Sequence, residues 1–127
     1  MPKTFLLLGA INTFLCIALG AFGAHGLKNI MTDDMLTTFH TGLQYHLYHA
    51  LGLMIIGLLL VHFTKSRLIE LSGWLMLLGI ILFSVNLYLL SLTEIRAFAV
   101  ITPFGGFSFI VSWVILIIAI WKEKQFD

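Results

Sequence analysis

The chain has 127 residues, of which 60% are hydrophobic and 10% are charged, and its net charge is +1. A soluble domain carries about 25% charged residues, so this composition excludes a mainly water-exposed surface and indicates apolar side chains that face lipid. The small net charge gives no field that would attract nucleic acid, and the single cysteine excludes an intrachain disulfide.

Four stretches without any Asp, Glu, Lys or Arg follow one another along the chain. They cover residues 5–24, 43–61, 71–92 and 97–121. About 20 helical residues cross the ~30 Å hydrocarbon core, and a segment in lipid must satisfy its own backbone hydrogen bonds. The sequence therefore predicts an all-α membrane protein, with a bundle of four transmembrane helices forming a single domain over residues 1–127.

The first stretch carries small and polar residues at steps of three or four, among them Gly9, Asn12, Cys16 and Gly20. Small residues let helix backbones approach closely in lipid, so this stripe is expected to face another helix. A cleaved signal peptide is the alternative, but the apolar run is longer than a usual signal-peptide core.

The connection after the first helix contains a helix start. Thr32 is a good N-cap residue, and Asp33 and Asp34 place negative charge in the first turn. We therefore predict a short interfacial helix over residues 33–40, between the first and second transmembrane helices, either separate or continuous with the second.

Polar residues inside the first three stretches are the candidate functional groups, because polar groups are costly in lipid: Asn12, His46, His49 and Asn86. His46 and His49 lie three residues apart on one helix face. Asn86 lies at about the depth of His49, and we expect the two to share a hydrogen bond if their helix faces meet. One interpretation is that these residues hold helices together. The other is a ligand-binding cluster of His25, His46, His49 and Asn86 for a metal, a quinone or a lipid.

A metal is the narrower version of this ligand hypothesis. Three imidazoles from His25, His46 and His49 are sufficient to hold zinc or copper with one open position. No carboxylate lies close to them in the sequence, and we predict no cofactor.

The fourth stretch contains Pro103, Gly105 and Gly106. Proline removes a backbone donor and disfavours helix at the preceding residue, which predicts a kink or a late helix start. The alternative is a broken helix that lines a substrate path, as in transporters.

Basic residues in the connections predict the orientation. If the four helices alternate in direction, Lys28 and Arg96 lie on one side of the membrane. Tyr45, Tyr48 and Tyr88 fall toward that side, as in an interfacial aromatic belt. The other side carries five basic residues, which predicts that both termini are cytoplasmic: Lys3, Lys65, Arg67, Lys122 and Lys124.

Three motifs resemble a known family. They are GAFGAHGL at residues 20–27, YHLYHAL at residues 45–51 and ITPFGG at residues 101–106. In combination they resemble the YgdD/YwdK-like family of small bacterial membrane proteins, a family of unknown function. The resemblance implies a four-helix protein of the bacterial inner membrane, and no catalytic residue or substrate can be carried over from it. It marks four residues as motif positions: His25, His46, His49 and Pro103.

The sequence thus favours a non-enzymatic membrane protein with a structural or accessory role. The alternatives are a small protein that binds a metal, quinone or lipid through its histidines, and a minimal transporter. The expected partners are the lipid bilayer and either a second copy of the chain or another membrane protein, but no nucleic acid.

Overall fold

The computed structural model describes residues 1–126 and contains four long helical spans. They are Pro2–Leu27, Asp33–His62, Arg67–Thr93 and Ala97–Lys122, and each is long and apolar enough to cross a membrane. Each of the four predicted stretches lies within one of these spans. No strand occurs in this part of the chain, so the predicted all-α fold with four membrane helices is confirmed.

Two of the spans contain a π turn, in which hydrogen bonds run from residue i to i+5. Such a turn holds one residue more than an α turn. The elements in chain order are α1 (Pro2–Phe22), a π turn (Gly23–Leu27), α2 (Asp33–His62), α3 (Arg67–Gly79), a second π turn (Ile80–Val85), α4 (Asn86–Thr93), α5 (Ala97–Lys122) and a 3₁₀ turn (Lys124–Phe126).

The helix start predicted at Thr32 is the start of α2. The Thr32 hydroxyl accepts a hydrogen bond from the Met35 N–H at 3.2 Å, and Asp33 and Asp34 occupy the first turn. The helix then continues to His62 without interruption. The predicted interfacial helix is therefore continuous with the second span, because no residue after His40 ends the helix.

The third span has clear signals at both ends. The Ser66 hydroxyl caps α3 by accepting from the Ile69 N–H at 3.3 Å. Glu94 ends α4 in the left-handed conformation, with φ 58°, and its N–H bonds Leu90 O at 2.7 Å. A left-handed residue after a helix satisfies one of the last carbonyls and stops the helix, so a short turn leads to α5.

Each span packs mainly against its neighbours along the chain. The first packs on the second, the second on the third and the third on the fourth, and residues 1–126 provide no extensive contact between the first and the fourth. Glycines permit the closest approaches. A Cβ on Gly9 would lie 2.7 Å from Met54 N and 2.8 Å from Ala50 O, so α1 can lie against α2 only without a side chain there.

Two buried clusters fill the bundle. The larger lies toward the end that carries both termini, and it includes Phe5, Ile56, Ile69, Met76 and Leu116. The smaller, toward the opposite end, is formed by three residues: Leu27, Phe39 and Tyr88. Between the two clusters lie the polar side chains of the second span, so the candidate functional groups occupy the middle of the bundle.

The outside of the bundle is apolar. Phe14, Val100 and Phe107 are each about two-thirds exposed, and a soluble monomer rarely exposes large contiguous apolar patches. These side chains are suited to contact with lipid.

Candidate functional site

His46 lies at the meeting point of three spans. The residue is 3% exposed. Its Nδ1 lies 2.8 Å from the Tyr88 hydroxyl of the third span, and its Nε2 lies 2.9 Å from Asn12 Oδ1 of the first. One side chain therefore connects the second span to both of its neighbours.

The partners of His46 fix which nitrogen carries the proton. The Asn12 amide nitrogen donates to Leu8 O at 2.8 Å, so Asn12 Oδ1 faces the imidazole and accepts from His46 Nε2. His46 Nδ1 then accepts from the Tyr88 hydroxyl. A neutral imidazole has one donor and one acceptor, and both are used. His46 has no free nitrogen left for a ligand.

His49 connects the second span to the fourth. The Trp113 indole N–H donates to His49 Nε2 at 2.9 Å, and His49 Nδ1 lies 2.7 Å from Tyr45 O. The ring also stacks on Phe109, with the centroids 3.5 Å apart and the planes 8° apart. Because an indole can only donate, Nε2 accepts and Nδ1 donates. His49 is thus also neutral with both nitrogens used.

The expected hydrogen bond between His49 and Asn86 is wrong. The Asn86 amide instead donates to two carbonyls of its own span, Leu82 O at 2.9 Å and Ile81 O at 3.3 Å. The physical reason is the π turn before Asn86, which changes the backbone pairing and offers these carbonyls to the side chain.

Tyr88 also differs from its expected place in an interfacial belt. Its side chain is 7% exposed and belongs to the interior, where it bonds His46 and packs against Phe39 with the ring centroids 5.3 Å apart. Tyr45 and Tyr48 do remain on the surface. Tyr88 faces α2 from the third span, whereas Tyr45 and Tyr48 lie on a partly exposed face of α2 itself.

His25 lies apart from the other histidines, exposed in the π turn that ends the first span. Among residues 1–126, no three His, Cys, Asp or Glu side chains converge in a group that could hold a metal ion. The proposed grouping of His25 with His46 and His49 is therefore not assembled, and the bonded nitrogens of His46 and His49 explain why these two do not serve as free ligands.

A groove of about 840 Å³ opens to the outside between the second and fourth spans. Eleven residues line it, and we call it the aromatic groove. Its walls consist of the His49 ring, aliphatic side chains, Gly106 and five aromatic residues: Tyr45, Tyr48, Phe83, Phe109 and Trp113. The exposed lining carries no charged side chain, so the groove suits an apolar molecule.

The region of Pro103 does not break the fourth span. α5 begins at Ala97 and runs through Pro103 to Lys122, so neither the late start nor the broken helix is present. Gly105 is buried against the third span, where a Cβ would lie 2.6 Å from the Leu82 carbonyl carbon. Gly106 lines the aromatic groove. Gly105 thus contacts the third span, whereas Gly106 faces the groove.

Sequence reasoning missed the aromatic partners of the histidines. Trp113, Phe109 and Phe83 are separated from His49 by 34 or more residues, and each also fits a lipid-facing position in an apolar helix. A signal was present in Tyr48 and His49, which lie three and four residues after Tyr45 and so share one helix face with it, but this spacing does not specify which span lies opposite.

Comparison with known proteins identifies relatives over almost the whole chain. A family model described as "Protein of unknown function (DUF423)" matches residues 19–106. The UPF0382 membrane protein YwdK of Bacillus subtilis is 49% identical over 117 residues, which cover 92% of this chain and 95% of the relative. UPF0382 membrane proteins of Staphylococcus epidermidis and Staphylococcus aureus are 42% and 44% identical over 120 residues, covering 94% of this chain and 97% of each relative. No solved structure matches.

These relatives confirm the family that the three motifs indicated. They are named membrane proteins, in agreement with the four apolar spans. Their names and the family description give no activity, substrate or partner.

Proposed function

This chain belongs to the DUF423 family of membrane proteins of unknown function, and we propose that it is a non-enzymatic membrane protein that holds one hydrocarbon chain of a membrane lipid in the aromatic groove. The observation that carries the proposal is the groove itself, a concave apolar surface at the level of the bilayer. Its volume of about 840 Å³ lies within the ~300–1,000 Å³ of small-molecule sites.

The length of the groove supports a chain as the occupant. Along α5 it extends from Gly106 to Ile117, which corresponds to about 16 Å at 1.5 Å per residue. Half of the ~30 Å hydrocarbon core is about 15 Å. A groove that runs along the helix for this distance matches one extended lipid chain better than a compact ring system.

The size of the groove argues against a second copy of this chain as its occupant. A standard protein–protein interface involves roughly 20–30 residues on each side, and only eleven residues line this groove. The groove alone is therefore smaller than a standard protein–protein interface, whereas its size suits a single hydrocarbon chain.

The chemistry of the lining supports holding rather than reaction. Both nitrogens of His49 are bonded within the protein, and the Tyr48 hydroxyl already accepts from the Gln44 amide at 2.7 Å. No acidic residue lines the groove, so there is no partner for general acid–base catalysis by His49. We therefore propose a binding role without catalysis.

The histidines have a structural role in this proposal. His46 links three spans and His49 links the second to the fourth. Together they hold in place the helices on either side of the groove. The histidines therefore act as structural residues, and the structure that they stabilise binds the lipid.

We further propose a location and an orientation. The relatives are bacterial membrane proteins, which supports the bacterial cell membrane. Five basic residues flank the ends of the spans on the side of the termini and two flank the other ends, which supports cytoplasmic termini by the positive-inside rule. We propose that residues 1–127 form one domain.

Mass spectrometry of extracted lipids tests the proposed function. Protein purified in a mild detergent and washed extensively is compared with Val114→Trp, which fills the groove, and with Ile17→Trp. Ile17 is exposed on the first span, outside the groove, so this variant adds the same indole to an ordinary lipid-facing position.

The native chain and Ile17→Trp are expected to retain near-stoichiometric lipid, and Val114→Trp is expected to retain about tenfold less, equivalent to ~1.4 kcal/mol. The extract also distinguishes a phospholipid from an isoprenoid, since both contain a hydrocarbon chain. Equal retention by all three proteins, no retained lipid, or a dimer that Val114→Trp dissociates would each overturn the proposal.

A further inference from the structure

We propose that Asn86 and Gly105 are positioning residues that hold the π turn at Ile80–Val85, and that this turn builds one wall of the aromatic groove. The inference rests on the proposed function where it concerns lipid, but its geometric part stands on contacts within the third and fourth spans.

Asn86 compensates for the altered backbone pairing at the turn. Its own N–H bonds Phe83 O, three residues back, and not Leu82 O as in an α helix. The Asn86 side-chain amide donates to Leu82 O at 2.9 Å and to Ile81 O at 3.3 Å. An unsatisfied carbonyl is costly in a hydrocarbon environment, so this amide stabilises the turn where it is.

Gly105 fits against the other side of the turn. A Cβ at this position would meet Phe83 N and would lie 2.6 Å from the Leu82 carbonyl carbon. Both of these atoms are backbone and cannot move aside as a flexible side chain would. Gly105 thus lets α5 touch the widened backbone directly, and the two spans fit together only where the turn is.

The turn delivers Phe83 to the groove. The Phe83 ring lies 5.0 Å from the Tyr45 ring and 5.6 Å from the Phe109 ring, measured between centroids. It thereby bridges the second and fourth spans and lines the groove. A regular α helix would lack the extra residue of the π turn. Each residue of difference rotates a side chain by about 100° around the helix axis, so Phe83 would leave this position.

The turn also contains a buried polar group without a hydrogen-bond partner. Ser84 is fully buried, and its hydroxyl has no hydrogen-bond partner. It is the single buried side-chain N or O atom in the described part of the chain without one. Departures from local rules of this kind concentrate at functional sites, which fits a turn that shapes a binding surface.

Deleting one residue tests the inference, because a π turn holds one residue more than an α turn. Removing the exposed residue Val85 is expected to convert the turn to α helix while both flanks keep their register, so the variant stays folded. As a matched control, removing exposed Leu71 from the regular part of α3 is expected to rotate buried Ile69 out of the core and lower the unfolding midpoint strongly.

Two readouts then separate this inference from the proposed function. Lipid retention is expected to fall about tenfold in the Val85 deletion. Independently of lipid, Phe83→Leu is expected to lower the unfolding midpoint of the native chain but not that of the deletion variant, because Phe83 has already lost its aromatic neighbours. If the native chain retains no lipid, the proposed function fails and the Phe83→Leu comparison alone decides the positioning inference.

The inference is overturned if the deletion variant shows the same response to Phe83→Leu as the native chain. Should the deletion variant fail to fold, Asn86→Leu replaces it, since this change removes only the side-chain amide from the turn. The same two readouts are applied, and an unchanged Phe83→Leu response in Asn86→Leu would equally overturn the role of Asn86.

Discussion

At the scale of single residues, the two histidines in the middle of the bundle, His46 and His49, each use both ring nitrogens in hydrogen bonds. His46 binds Asn12 and Tyr88, and His49 binds Trp113 and Tyr45 O. In lipid, an unmet polar group has no water to bond, so each histidine fixes the position of the helix that carries its partner.

Replacing His46, which connects three spans, tests whether these hydrogen bonds stabilise the bundle. His46→Leu is expected to lower the free energy of unfolding by about 1–3 kcal/mol, because the Tyr88 hydroxyl and Asn12 Oδ1 are left unpaired. The measurement is reversible unfolding in mixed micelles with increasing SDS. The same change in a Tyr88→Phe background should cost less, and a fully additive double variant would contradict the bond between the two side chains.

Ser84 gives a prediction of opposite sign. Its buried hydroxyl has no partner, so Ser84→Ala removes an unsatisfied group and leaves only a small void. We expect the free energy of unfolding to rise by about 1 kcal/mol. Ser72→Ala is the matched comparison, since the Ser72 hydroxyl donates to Ser112 O at 2.7 Å; it should destabilise the protein. A loss of stability in both variants would show that Ser84 is bonded after all.

At the scale of the helices, close approach depends on particular glycines in the first span. A side chain at Gly9 would collide with the backbone of α2, whereas at Gly20 the nearest atom would be Leu43 Cδ1 at 3.8 Å. Both residues belong to the same small-residue stripe, and only the structure distinguishes the glycine that is required from the one that is not.

These two glycines make a paired test. Gly9→Ala is expected to destabilise the protein by about 2–3 kcal/mol, because the helices must move apart. Gly20→Ala is expected to be neutral or to stabilise by up to about 1 kcal/mol, because alanine favours helix. Unfolding midpoints in detergent measure both. Equal effects at the two positions would contradict the observed contact between α1 and α2.

Among the helical elements, the sequence predicts those that depend on local signals. Charge-free stretches and N-cap residues are local signals, and they located all four spans and the start of α2 at Thr32. The π turn at Ile80–Val85 has no such signal. It depends on Asn86 turning back to its own carbonyls and on Gly105 from a different span. The sequence therefore suggested a bond from Asn86 to His49, which is wrong.

At the scale of the whole molecule, the site depends on which spans lie side by side. The aromatic groove forms between the second and fourth spans, and its walls also include Phe83 of the third. His46 and His49 could be selected from the sequence because polar residues stand out in apolar helices. Trp113 and Phe109 could not be selected, because an aromatic residue fits equally well against lipid or against another helix.

The orientation in the membrane is also a property of the whole chain. We expect a reporter that is active only in the cytoplasm to be active when fused to either terminus. Five basic residues lie at the end of the bundle that carries the termini, and two lie at the opposite end. Cysteine labelling at position 94 in a Cys16→Ala background should report the outer side. Labelling of this site only after cell lysis would reverse the proposed orientation.

The most direct test of the central claim is fluorescence quenching of Trp113 by a phospholipid with brominated chains. Trp74→Phe with Trp121→Phe leaves Trp113 in the groove, and Trp74→Phe with Trp113→Phe leaves Trp121, which is 84% exposed outside it. Each delipidated protein is titrated in excess detergent. If the groove holds a lipid chain, Trp113 fluorescence will fall and level off near equimolar lipid while Trp121 fluorescence stays constant. Equal quenching of both, or none of Trp113, would contradict the account.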